Sequence, residues 1–466
     1  MCLFIVHGKA NEPINDEKGA PMARMFGTDG VRGVANTDLT CPLAFRLGQA
    51  AVRFQGPRIL VGKDTRLSGD MLEAAMCAGI TSMGGQALTA GIIPTPAIAL
   101  LTKQLGCDGD VVISASHNPP EYNGIKLFDG AGFKLPDEVE DQIQAAIESG
   151  TMDADRPAGD AVGTIQAVPD AIERYVRHAV ESVRSQGQSL AGMKIALDCG
   201  HGASSMTSYQ ALEMLGADVR PMNDSFTGLD INVQCGSTNL EPLKSYVAEV
   251  GADVGIAHDG DADRVMLVDS QGREIDGDMM EAILALDMKQ RGCLPADTVV
   301  TTVMCNLGFV RCMEANGINV VQTKVGDRYV LEEMRDKGYA IGGEQSGHLI
   351  MLEYNSTGDG LMTAVQFLAA TRRLGKTVDE AAEVFTRYPQ ELINVRVSDK
   401  EAVFGSDAVA AAVRAAEEAM GKSGRVLLRP SGTEPVVRVM VEAASDEDAK
   451  RHCREIADVV IAELGA

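Results

Sequence analysis

Short apolar, β-rich runs recur along the chain, and each gives way to a polar loop. Arg58-Ile59-Leu60-Val61-Gly62 leads into Lys63-Asp64-Thr65-Arg66, and Val111-Val112-Ile113 leads into Ser114-Ala115-Ser116-His117-Asn118. Lys194-Ile195-Ala196-Leu197 precedes Asp198-Cys199-Gly200-His201-Gly202. Val254-Gly255-Ile256-Ala257 precedes His258-Asp259-Gly260-Asp261-Ala262-Asp263-Arg264. Val299-Val300-Thr301-Thr302-Val303 runs toward Cys305-Asn306, and Tyr339-Ala340-Ile341 toward Gly343-Glu344-Gln345-Ser346-Gly347-His348. Between these runs the pattern predicts helices over Gly69–Met83, Pro136–Ser149, Ser205–Leu215, Glu241–Val250 and Gly358–Leu374. Strands alternating with helices indicate α/β units with largely parallel sheets. Ligands bind such sheets beyond the carboxyl ends of the strands. The polar loops sit at those ends, so each is a candidate site by position.

The pattern changes near residue 388. Leu392-Ile393-Asn394-Val395-Arg396-Val397 reads as a strand and Ala408–Met420 as an Ala-rich helix. Arg425–Leu428 and Val436–Val441 read as strands on either side of Arg429-Pro430-Ser431-Gly432-Thr433-Glu434-Pro435, and a last helix is expected over Asp446–Leu464. This predicts a small α+β domain that presents Arg429 on a loop.

Composition narrows the class. A chain of 466 residues holds several domains at roughly 100–200 residues each. It lacks tryptophan and is only 4% aromatic, so its cores are aliphatic. The formal charge is −24, from 66 acidic and 42 basic side chains. That balance argues against nucleic acid or an anionic membrane as a partner, because both require a cationic surface. An anionic substrate must then be captured by a local cluster of Arg and Lys. Ten cysteines are scattered without a C-x-x-C pair, which predicts reduced thiols and a cytoplasmic location. No apolar run reaches the roughly 18 residues of a membrane span. Residues 7–21 are polar and show no periodicity, and residues 1–21 are expected to form a flexible extension, with Met22 as an alternative start.

The loops differ in chemistry. Asp259, Asp261 and Asp263 alternate, so an extended loop can aim three hard oxygen ligands at one Mg²⁺ or Ca²⁺. An EF-hand is excluded, because the positions needing Gly and Glu hold Arg264 and Ser270. Arg264 directly after the acidic cluster points to an anionic ligand near the metal. Ser116 follows a buried strand, with His117 beside it, a turn at Asn118-Pro119, a further turn expected at Asn123-Gly124, and Lys126 beyond. A phosphorylated serine needs a neutralising cation, which the aspartate loop would supply. Arg429, Ser431, Gly432 and Thr433 make a phosphate cradle. Glu344, Gln345, Ser346 and His348 offer a mixed set of hydrogen-bonding groups suited to sugar hydroxyls. Phe26-Gly27-Thr28-Asp29-Gly30-Val31-Arg32-Gly33 is a glycine-rich turn that can hold Arg32 at an anionic site.

Together these motifs resemble the α-D-phosphohexomutase family from residue 25 to about residue 445. The serine motif is matched by residues 114–120, the metal loop by 259–264, the sugar loop by 344–348 and the phosphate loop by 429–435. Phe26–Gly33, Cys235-Gly236-Ser237-Thr238, Asn306-Leu307-Gly308-Phe309 and Gly343–His348 look most like the branch acting on glucosamine phosphates. Two departures stand out. The stretch before Met22 has no counterpart, and Ala262 stands where that branch commonly has Gly.

The resemblance implies an α/β fold of three similar α/β domains with mixed, largely parallel sheets, plus a smaller C-terminal α+β domain, around a central cleft. The expected divisions are 22–168, 169–270, 271–387 and 388–466. It implies interconversion of glucosamine 6-phosphate and glucosamine 1-phosphate, feeding UDP-N-acetylglucosamine and cell-wall synthesis. Ser116 would be the phosphoserine and, through its phosphate, a ligand with Asp259, Asp261 and Asp263 of one Mg²⁺ per subunit. Arg32, His117, Lys126 and Arg264 would surround the transferring group. Glu344, Ser346 and His348 would hold the sugar, and Arg429, Ser431, Gly432 and Thr433 its other phosphate. A bisphosphorylated sugar would serve as intermediate and activator. The family also implies a homodimer. Alternatives are a branch acting on glucose or mannose phosphates, a metal-dependent phosphatase with Asp259 or Asp261 as nucleophile, and a non-catalytic sugar-phosphate sensor. If Arg429 holds the distal phosphate, Arg429→Ala weakens substrate binding by roughly 2–4 kcal/mol, read as a raised KM. Unchanged KM and kcat would remove that role.

Overall fold

A computed structural model describes residues 24–27, 29–154, 156–431 and 435–465. The expected extension over 1–21 lies outside the described residues, as do Gly432 and Thr433 of the phosphate loop.

Four sheets follow one another along the chain. The first has six strands, in the order Val31–Val34, Tyr122–Asp129, Gly109–Ile113, Arg58–Lys63, Gln86–Ile92 and Thr164–Ala167. Arg58–Lys63 runs parallel to both of its neighbours, while Tyr122–Asp129 is antiparallel to both of its own. The second has five strands around the parallel trio Lys194–Asp198, Asp218–Met222 and Val254–His258, with Val265–Asp269 and Glu274–Ile275 added antiparallel. The third has four, with Thr298–Thr302 parallel to Asn319–Thr323 and Ile341–Gly343. The fourth has three antiparallel strands, Gln390–Arg396, Val436–Glu442 and Arg425–Pro430. The α/β character and the C-terminal α+β unit are those expected from the pattern, and the three α/β sheets are those the resemblance implies.

Most expected helices form within a residue or two of their predicted ends. Gly358–Leu374 begins instead at Gly360, because the Asp359 carboxylate accepts the backbone N–H of Met362 and caps the helix there. Ser205–Leu215 splits into a 3₁₀ turn at Ala203–Met206 and a helix at Ser208–Met214. Asn123-Gly124 is not the turn expected. Both residues lie in strand Tyr122–Asp129, and a Cβ on Gly124 would stand 2.4 Å from the Ser114 carbonyl oxygen. The glycine marks a close backbone approach rather than a bend.

One continuous aliphatic core runs from Leu60 and Ile98 through Ile195 and Leu267 to Phe309 and Phe367, spanning the first three sheets. The fourth sheet has a core of its own, built on Val395, Val437, Val439, Ile456 and Val460. The C-terminal unit is therefore a separate packed body joined to the rest through polar contacts. No helix among the described residues is long and apolar enough to cross a membrane.

Candidate active site

Ser116 stands at the end of strand Gly109–Ile113 with φ of 51°, a left-handed conformation rare outside glycine. Three sets of bonds hold it there. The Ser114 hydroxyl accepts the Ser116 N–H at 2.9 Å and donates to Asp64 at 2.7 Å. The buried Arg66 guanidinium lies inside the loop. Its Nε donates to Asp64 at 2.9 Å, and its two other nitrogens donate to the carbonyls of Ser116, Asn118, Pro119 and Tyr122. From the turn that follows strand Asp218–Met222, the Asn232 amide donates to the Ser116 carbonyl at 2.9 Å and to that of Asn118 at 3.2 Å. The backbone of Ser116 is thus held by both Arg66 and Asn232, neither of which was given a role from the sequence.

The Ser116 hydroxyl is buried and donates to Asp259 Oδ2 at 2.6 Å. Asp259, Asp261 and Asp263 are all buried, and their oxygens gather within 4.8 Å of one another. Burial and the charges of Asp263 and Asp261 push the Asp259 carboxyl well above its usual range. Burial also acts on Asp261, but the ammonium of Lys126 at 2.8 Å and the Thr95 hydroxyl at 2.6 Å outweigh it and draw that carboxyl below its usual range. Oδ1 of Asp261 and Oδ1 of Asp263 are buried without a hydrogen-bond partner. Two orphaned carboxylate oxygens facing a third carboxylate fit a divalent cation of the hard, oxygen-seeking kind. Ala262 adopts φ of 56° between the ligands, which accounts for the glycine common there in the branch it resembles. A small side chain tolerates that strain.

Cations ring the acidic loop. Lys126 is fully buried and sits 2.8 Å from Asp261 and 3.4 Å from Asp263. Burial alone would favour its neutral amine, yet Asp261, Asp29 and Asp263 overcome this and hold it charged. Arg264 is likewise raised above its usual value against burial, chiefly by Asp263 and Asp259. His117 Nδ1 lies 3.4 Å from the Ser116 hydroxyl oxygen. Burial, then Arg264 and Arg32, push its imidazole toward the neutral form. Arg32 pairs with Asp29, and Asp29 in turn bonds Lys134, which bonds Asp327, each at 2.6 Å. His348 approaches Asp327 at 3.7 Å. This string of alternating charge leads from the metal loop to the sugar loop.

A cleft opens beside this string, lined by Asp29, Asp263, Arg264, Val325, Gly326, Asp327, Glu344 and His348. Glu344 accepts the Gly326 N–H at 3.1 Å. Ser346 is exposed on the same turn and is not among the residues lining the cleft. Arg429 lies in the fourth sheet, opposite Arg438, and Ser431 follows the end of its strand. Burial and the neighbouring charge of Arg438 disfavour the Arg429 cation, and an anion bound there would relieve both. The structure therefore gathers Ser116, His117, Lys126, Asp259, Asp261, Asp263 and Arg264 into one group. Glu344 and His348 line the adjoining cleft, and Arg429 sits on the C-terminal unit. Sequence reasoning assigned no role to Asp29, Asp64, Arg66, Lys134, Asn232 or Asp327, although Asp64 and Arg66 lie in a loop that is a candidate by position. Asp64 and Arg66 carried a usable signal, since their loop follows a strand of the same sheet as Ser116.

Four family models match nearly the whole chain. They are described as Phosphoglucomutase/phosphomannomutase, alpha/beta/alpha domains I, II and III, at residues 23–154, 173–272 and 276–388, and C-terminal domain, at 392–459. A phosphoglucosamine mutase of Moorella thermoacetica is 51% identical over 92% of this chain and 97% of its own. One of Symbiobacterium thermophilum is 50% identical over 95% of this chain and 100% of its own. Among solved structures, a phosphoglucomutase/phosphomannomutase family protein of Burkholderia thailandensis superposes with a TM-score of 0.79 at 24% identity, covering 95% of this chain and 99% of that one. The N-acetylphosphoglucosamine mutase of Aspergillus fumigatus, in complex with GlcNAc-6P and magnesium, shares the fold at a TM-score of 0.64 and 18% identity, covering 94% of this chain and 95% of that one.

Two outcomes test this geometry. Arg66→Ala leaves Asp64 buried without its partner and costs about 3–5 kcal/mol of stability, measured by denaturant unfolding. Arg66→Lys keeps the charge but cannot reach four carbonyls and Asp64 at once, and lowers kcat by about 10²-fold. A Lys variant with full kcat would show that the clamp is dispensable. A divalent cation at 100 times its Kd adds about 2.7 kcal/mol of stability by relieving repulsion within the triad. A melting temperature insensitive to both Mg²⁺ and EDTA would count against a metal there.

Proposed function

Because the chain belongs to the phosphoglucomutase/phosphomannomutase family, we propose that it interconverts glucosamine 6-phosphate and glucosamine 1-phosphate, with Ser116 as the phosphoryl carrier. The observation that carries this reading is the placement of the Ser116 hydroxyl 2.6 Å from Asp259, inside a ring of buried carboxylates and cations. The full-length identity of 51% and 50% to phosphoglucosamine mutases supports the glucosamine substrate.

In one half-reaction a sugar hydroxyl attacks the phosphorus of phosphorylated Ser116, and the serine oxygen leaves. A 1,6-bisphosphate forms, turns end for end in the cleft, and gives its other phosphoryl group back to Ser116. Asp259, Asp261 and Asp263, with a phosphoserine oxygen, would hold Mg²⁺. The ion would neutralise charge on the transferring group. Lys126, Arg264 and Arg32 line the same space with fixed positive charge, already in place before the transfer begins. His117, 3.4 Å from the serine oxygen, is placed to exchange a proton with the attacking or leaving oxygen. Glu344 and His348 hold sugar hydroxyls in both orientations, with Ser346 at the rim. Arg429, Ser431, Gly432 and Thr433 grip whichever phosphate is not reacting. We place the domains at 22–168, 169–270, 271–387 and 388–466, with the phosphoserine, metal, sugar and phosphate loops on them in that order.

Ser116→Ala is expected to abolish turnover of glucosamine 1-phosphate and to remove the phosphate found on the protein by intact-mass analysis. Full activity in that variant would end the proposal. Comparing kcat/KM for glucosamine 1-phosphate, glucose 1-phosphate and mannose 1-phosphate should place the first ahead.

A further inference from the structure

The C-terminal unit carries the phosphate loop but has its own core, so something polar must set its pose. The motif Asn306-Leu307-Gly308-Phe309 lies where the two bodies meet. Asn306 Oδ1 accepts the N–H of Gly308 and that of Tyr388, both at 2.9 Å. Its amide donates to the Tyr388 carbonyl at 3.0 Å and to Glu442 Oε1 at 3.1 Å. Tyr388 lies just ahead of strand Gln390–Arg396, so Asn306 fastens the connection between the bodies. Glu442, on the fourth sheet, also accepts the Leu307 N–H at 3.1 Å and the Arg425 guanidinium at 2.5 Å.

The same joint reaches the sugar loop. Asp278 Oδ2 accepts the Asn306 N–H at 2.7 Å and the Gln345 amide at 3.3 Å. Gly277 donates its N–H to the Gln345 carbonyl at 3.0 Å, and a Cβ there would stand 2.0 Å from the Glu344 carbonyl oxygen. Asp278, Asn306 and Glu442 are each at most 1% exposed. A buried, hydrogen-bonded string thus runs from the loop that holds the sugar to the strand pair that holds the phosphate loop.

Resting on the functional reading above, we propose that Asn306, Asp278 and Glu442 are positioning residues for the substrate's non-reacting phosphate. Arg425 and Glu442 are paired across the strands at one end of the hairpin, and Arg429 and Pro430 stand near the other. The hairpin is a stiff lever about 20 Å long at roughly 3.3 Å per residue. A turn of about 10° at its base shifts its tip by about 3 Å, more than a hydrogen bond tolerates. The string also ties that base to Gln345, so the sugar grip and the phosphate grip keep one spacing.

Glu442→Gln preserves shape but loses the charge shared by Arg425, Asn306 and Leu307. It should raise KM for glucosamine 1-phosphate about tenfold while leaving the phosphate content of Ser116 unchanged. In an Arg429→Ala background it should raise KM no further, because its effect passes through the phosphate loop. Asn306→Ser retains a helix cap yet loses the contacts to Glu442 and Tyr388, and carries the same test if the first variant folds poorly. An unchanged KM, or an effect that adds fully to that of Arg429→Ala, overturns the proposal. The unaltered protein's turnover, measured alongside, separates this outcome from a failure of the functional reading itself.

Discussion

Three carboxylates buried within 4.8 Å of one another repel strongly, and the rest of the site is arranged around that fact. Each needs a partner, because a buried charge without one costs several kcal/mol. Asp261 receives Lys126 and Thr95, Asp259 receives the Ser116 hydroxyl, and two oxygens stay open for a cation. Lys126 brings a charge that must itself be balanced, and Asp29 lies 4.0 Å from it. Asp29 then engages Arg32 and Lys134, and Lys134 engages Asp327. The alternation ends near His348 at the sugar cleft. One electrostatic constraint thereby links loops from three sheets, and it gives an acidic protein a local cationic ring able to receive an anionic substrate.

Backbone strain is concentrated at the same place. Ser116 and Ala262 both adopt left-handed conformations, at φ of 51° and 56°. Such a residue costs of order 1–3 kcal/mol and persists only where its surroundings over-determine it. For Ser116 the surroundings are Arg66 and Asn232, which bind the loop's carbonyls from opposite sides. The Ser116 backbone is held in place while its hydroxyl stays at the Asp259 carboxylate. Arg429, by contrast, sits on a separately packed body that Asn306 and Glu442 help join to the rest.

Much of this was legible in the sequence for a physical reason. The serine, metal, sugar and phosphate motifs are each contiguous, and each follows an apolar strand, the first three in α/β sheets and the last in the antiparallel C-terminal sheet. Strand–helix alternation and its break near residue 388 came from periodicity, which burial enforces locally. Asn123-Gly124 misled, because a dipeptide typical of turns here serves a close approach between strands. Gly358 was an imperfect helix start, because the cap is Asp359.

By itself the sequence determined the chemistry: which loops exist, in what order, and which donor groups each carries. Only the tertiary structure decided the partners. Asp29 meets Lys134 across 105 positions and Lys134 meets Asp327 across 193. Arg66 closes around a loop fifty positions away. Such pairs leave no periodic trace, because they are set by which strands pair and how units dock rather than by how a strand or helix buries its own face.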